Sequence, residues 1–194
     1  MNPFEVLART HDSLRTVVAA VPADAWDAPT PCSQWTVAQV VRHAVIDQLG
    51  FAVSLGRAEA PAEDAFAPST DRPADPNAYV GDALDIAAAA WTSVDPADEA
   101  VPTPVPPHSL PAGQAALAAA LDAGVHAWDI AVATGQPSPL TDDVATALQG
   151  LAVHLVDPLR PWGAYADAIT GDDAGDPVAI LLRYLGRDPK WPVT

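Results

Sequence analysis

Proline placement constrains this chain more than any other feature. Most of its 21 prolines fall in clusters at 22–31, 61–76, 96–111, 137–139, 158–161 and 189–192. Proline has no N–H to donate and its ring clashes with the preceding turn, so such clusters end helices and mark connections. The stretches between them are rich in alanine, a strong helix former. They show no alternation long enough for a strand and no internal repeat. The pattern predicts helices at about 3–20, 36–56, 77–94, 114–134, 141–155 and 177–185. In the second, Thr36 is placed as an N-cap, and Val37, Val40, Val41, Ala44, Val45, Leu49 and Ala52 form the apolar face. Gly135 is placed to close the fourth. Four long helices with long crossings predict an all-α four-helix bundle, one domain over 1–194, with Pro-rich crossing loops and a short C-terminal helical appendage. Long loops in a compact domain are usually functional, so the crossings are expected to rim a pocket.

The formal net charge of −16 at pH 7 sets the electrostatic limits. Such a field repels phosphate backbones and anionic headgroups, which argues against nucleic-acid and membrane partners. Cys32 is the single cysteine, so no intrachain disulfide and no cysteine-based zinc site can form. The N-terminal stretch lacks the apolar core of a signal peptide, and no apolar run is long enough to span a bilayer uninterrupted. The expected location is cytoplasmic.

The fourth helix carries Asp122 and His126 one turn apart on one face, with Asp129 a further turn along. An apolar stripe of Leu117, Leu121, Val125, Trp128 and Val132 already accounts for one side of that helix. Two orientations fit the pattern: a solvated pair with a weak contact, or a pair turned into the bundle. His43 adds a third polar group in an apolar run of the second helix, where an unpartnered histidine is costly. Two imidazoles and one carboxylate make a frequent catalytic zinc set with an open position, and the same donors accept nickel, manganese, iron or cobalt. His108 reads as solvated, His154 as a surface or capping pair with Asp157, and His11 has no spaced partner. Cys32, in a turn beside Pro31 without a nearby base, reads as structural at least as readily as nucleophilic. The six tryptophans are expected mainly to clamp loops onto the core. Phosphate loops and nucleophile elbows are absent from the sequence.

Three segments, PTPCSQWTVAQVVRHAV at 29–45, VHAWDIAVATG at 125–135 and LLRYLGRDPKW at 181–191, resemble those of DinB-like metal-binding proteins. The resemblance is to the branch containing the N-terminal domain of mycothiol-dependent maleylpyruvate isomerase, an actinobacterial family. It covers the chain in family order, most weakly at 57–75 and 95–112. It implies an up-down four-helix bundle with a divalent metal at one end of its core, held by His43, Asp122 and His126. The similar isomerase has Glu where this chain has Asp122, one methylene shorter. Asp129, outside the ligand set, would orient a ligand. The resemblance further implies a zinc-type metal, a mycothiol-like thiol as cosubstrate, and transfer of that thiol to a small electrophile or isomerisation of one. Arg160 and Arg183 are the cations available for an anionic group. A non-catalytic binding protein and a tailoring enzyme working without thiol fit the same scaffold, as a monomer or a homodimer.

Overall fold

The computed structural model describes residues 1–32, 34–172 and 175–191. They form six α-helices: α1 Pro3–Ala19, α2 Val37–Ser54, α3 Pro76–Trp91, α4 Ala112–Ala133, α5 Asp142–Leu159 and α6 Pro177–Tyr184. A two-residue antiparallel pair, β1 Val101–Pro102 with β2 Ser109–Leu110, lies inside the second Pro-rich crossing. Local chemistry explains the helix starts. Asn2, Asp75 and Asp176 each accept a hydrogen bond from a first-turn N–H, with proline at the first helical position. Thr36 and Gln39 close a reciprocal capping box on α2.

One stop signal is weaker than its sequence suggests. Pro158 lies inside the last turn of α5, and the helix runs to Leu159, past the expected end near 155. The N–H that Pro158 lacks is lost where the chain is already tightening into the 3₁₀ turn Arg160–Trp162.

α1 packs against α3 and α4, α2 packs against α3 and α4, and α5 covers α4 and α6. α4 is thus the central helix. Its many alanines let neighbours approach from several sides, and residues 118–121 and 123–131 are buried without a break. At Gly124 a Cβ would lie 2.9 Å from Cγ2 of Thr10, so glycine permits the close approach of α1. Leu117 and Val132, at the ends of the expected apolar stripe, are only half-buried. The polar stripe is therefore interior, facing α2. Among the described residues α4 alone is long and apolar enough to cross a membrane, and 83% of its most apolar window is buried within the fold.

Candidate metal centre

α2 and α4 bring His43, Asp122 and His126 together, with one ligand-type atom from each within 4.8 Å of the others. Asp122 Oδ1 lies 3.5 Å from His43 Nε2 and 3.4 Å from His126 Nε2. Those separations are long for hydrogen bonds. They match the spacing of about 3.3 Å between ligand atoms in a tetrahedral site with zinc–nitrogen and zinc–oxygen bonds near 2.0–2.1 Å. The outer nitrogens explain why both Nε2 atoms are available. His43 Nδ1 lies 2.8 Å from the Ala65 carbonyl oxygen, and His126 Nδ1 lies 3.0 Å from Asp129 Oδ2. Each Nδ1 therefore carries the proton in the neutral ring, leaving a lone pair on Nε2. This donor set could hold a metal ion.

The supporting shell is deeper than the sequence indicates. Arg187, buried, grips Asp129 with Nε and Nη2 at 3.0 and 2.9 Å, while its Nη1 donates to the Leu185 carbonyl. On the opposite side the Gln48 amide donates to Asp122 Oδ2 and to the Ala119 carbonyl, both at 3.0 Å. Its oxygen must then be the acceptor for His11 Nε2 at 2.8 Å, so that imidazole donates. Gln48 thus occupies one oxygen of Asp122 and leaves Oδ1 for the histidines. Asp47, one turn beyond His43, places Oδ2 3.8 Å from His43 Nε2.

Electrostatics follow this geometry. Burial lowers the His43 pKa, but Asp122 and Asp47 outweigh it and raise the value to about 9. Burial and the neighbouring Asp122 push Asp47 up to about 7. Burial alone would raise Asp122 and Asp129, yet both are held below the usual carboxylate range, Asp122 by the two histidines and Asp129 by Arg187 and His126. Burial lowers His11 despite its bond to Gln48, favouring the neutral ring.

The three residues line a cavity of about 490 Å³ between α2, α4, α5 and the chain segments near 31–35 and 163–166. Both Pro-rich crossings reach it, through Phe66 and Val105. The first crossing is anchored by Arg42, which pairs with Glu63 at 2.9 Å and donates to the Asp71 carbonyl at 2.7 Å. Trp35 differs from the expected loop clamp: its ring lies 4.5 Å from that of His43 and faces the cavity. Cys32 also lines the cavity, and burial pushes its pKa up to about 11, so it is a protonated thiol at neutral pH. Asp157 bonds Arg160 at 2.9 Å, where the sequence suggested His154, and Arg160 also holds the Tyr184 carbonyl. Neither Arg160 nor Arg183 is among the described residues lining the cavity; Arg187 is.

The family model for the mycothiol maleylpyruvate isomerase N-terminal domain matches residues 7–131. The chain belongs to this family. Two uncharacterized Mycobacterium tuberculosis proteins, from strains CDC 1551 / Oshkosh and ATCC 25618 / H37Rv, are each 31% identical over 193 residues. Each alignment covers 96% of this chain and 98% of the relative. No solved structure matches the chain. The family match spans α1 to nearly the end of α4 and so contains His43, Asp122 and His126; Tyr165 and Arg187, which complete the cavity, lie beyond it.

Proposed function

We propose that this member of the mycothiol maleylpyruvate isomerase N-terminal domain family is a metal-dependent enzyme. It would use a low-molecular-weight, mycothiol-like thiol for transfer to a small electrophile or for isomerisation of one. The observation that carries this is the convergence of two Nε2 lone pairs on one oxygen of Asp122, with both Nδ1 atoms committed elsewhere. Zinc suits the donor set best, and nickel, manganese, iron or cobalt would be accepted. The packing of α1 to α4 supports reading 1–194 as one domain, an up-down four-helix bundle with its site between α2 and α4.

A divalent ion held by His43, Asp122 and His126 would lower the pKa of a thiol and supply thiolate at neutral pH. Asp129 and Ala65 fix the two imidazoles, and Gln48 fixes Asp122. Asp47 faces the same cavity and is assigned the thiol proton. A carbon–sulfur bond then forms at an activated double bond, whose electron pair moves to the conjugated oxygen. In transfer, Asp47 returns the proton to the adjacent carbon. In isomerisation, the carbon–carbon bond rotates, the carbon–sulfur bond breaks and the thiol recovers its proton. The apolar walls keep water from competing.

A thiol and electrophile screen with and without zinc tests the reading. Metal-stimulated turnover that is lost with metal binding in His126→Ala is expected; full activity in that variant overturns it. The second reading, a metal-binding protein without turnover, is favoured by the commitment of Arg187 to Asp129, and predicts zinc uptake with no reaction in the same screen. We propose a cytoplasmic protein, monomer or homodimer, whose strongly negative charge argues against nucleic-acid and membrane partners.

A further inference from the structure

Resting on that reading of the reaction, we infer that Tyr165 is a further catalytic residue, whose hydroxyl donates a hydrogen bond to the conjugated oxygen of the electrophile as that oxygen takes up charge. The proposed reaction assigns the thiol proton to Asp47, but the electron pair that arrives on the oxygen has no partner. Developing charge in a partly dry cavity needs a donor aimed at it. Tyr165 lines the same cavity as His43, Asp122 and His126, yet comes from the segment between the 3₁₀ turn and α6, so it approaches from a different wall than α2 and α4.

The phenol is held in place and unspent. Its ring packs on the core cluster that contains Leu155 and Leu159. Arg160 fixes the segment by donating to the Ala166 carbonyl and to the Tyr184 carbonyl of α6. Gly186 lets the segment dock beside Arg187: a Cβ there would lie 2.7 Å from Ala166 Cβ and 2.9 Å from the Asp167 carbonyl oxygen. The Tyr165 hydroxyl makes no hydrogen bond to a described residue and is not sealed in the core. Burial and the neighbouring Asp122 push its pKa up, so it remains a phenol and donates. The other polar lining groups are spent or weaker. Arg187 gives three of its five N–H groups to Asp129 and the Leu185 carbonyl, and the two that remain make it an auxiliary donor. Gln34 is exposed, where water competes for its amide, and the Cys32 thiol is a weak donor. The proton stays on Tyr165 throughout. In transfer, the electron pair leaves the oxygen as the adjacent carbon takes the proton from Asp47. In isomerisation, it returns as the carbon–sulfur bond breaks.

A conjugated aldehyde, 4-dimethylaminocinnamaldehyde, reads this contact without turnover, because its absorption moves to longer wavelength when a donor polarises its oxygen. It is titrated into the metal-stripped full chain, into Tyr165→Phe, which keeps the ring and removes one oxygen, and into His43→Ala. A red-shifted bound spectrum is expected in the parent and in His43→Ala. Tyr165→Phe is expected to lose the shift and to bind about three- to tenfold more weakly. A parent that neither binds nor shifts the probe overturns the inference. So does a shift that Tyr165→Phe retains and His43→Ala loses, which places the oxygen on the ligand set instead. In zinc-loaded protein, benzylideneacetone with 2-mercaptoethanol gives the kinetic counterpart. Tyr165→Phe should lower kcat by about 10²–10³-fold with KM nearly unchanged, and an unchanged kcat overturns the inference while leaving the metal reading intact. Failure of the parent to take up zinc overturns the metal reading, and the spectrum of the stripped protein then decides whether Tyr165 is the donor.

Discussion

The two histidines of the candidate centre have unlike support. His126 leans on Asp129, a fully buried carboxylate gripped by the buried Arg187. His43 leans on a backbone carbonyl, that of Ala65, in a Pro-rich crossing held by the more exposed Arg42–Glu63 pair. The first arrangement is rigid and costly to disturb, because removing either charge strands the other in the interior. The second is more solvated, and the same crossing carries Phe66 to the cavity. The comparison teaches that one side of the site is anchored by a buried charge pair and the other by a backbone carbonyl and a more solvated pair.

The sharpest way to break this contrast is Arg187→Met. It leaves Asp129 buried and uncompensated, and unfolding in urea should show a loss of about 3–5 kcal/mol; a loss near zero would remove the anchor from the account. Asp129→Asn should lower zinc affinity by about 10–100-fold, read by chelator competition. Arg42→Met, on the more solvated side, should change stability by no more than about 1 kcal/mol, because its pair is partly solvated. Its effect on zinc affinity should be smaller than that of Asp129→Asn, and a larger one would reverse the comparison.

The sides also differ in pH dependence. Asp129 is depressed in the fold, so its contribution is present above the usual carboxylate range and is lost as pH falls through the depressed value. His43 is raised to about 9 in the metal-free protein, so its contribution is complete below the ordinary histidine range and is lost as pH rises through about 9. Urea titrations at acid and alkaline pH should show Asp129→Asn flattening the acid limb and His43→Ala the alkaline one. Interchange of the two effects would contradict the assignments.

How much of this could be read in the sequence depends on the distance between partners. Asp122 and His126 are marked by helical spacing, and His43 by its apolar surroundings. Their orientation was open, because two faces of α4 competed for the interior and only the packing of alanines on every side decides between them. Asp47 carried a signal that spacing reveals, four residues after His43. Gln48 and His11 carried none, since their bond joins α1 to α2 across 37 residues. Arg187 lies 58 residues from Asp129, and its segment offered Arg183 with equal local plausibility. Pro158 misled in the opposite sense: its missing N–H leaves the carbonyl of His154 without a helical partner, but His154 lies on the exposed side of α5, where water can serve instead.

Metal content of the untagged protein, purified without added metal alongside His43→Ala, tests the central claim most directly. The account predicts about one equivalent of zinc or a similar divalent ion in the parent and none in the variant. No metal in either protein, even after incubation with zinc, nickel or cobalt, would contradict it and leave the His43–Asp122–His126 cluster a purely structural contact between α2 and α4.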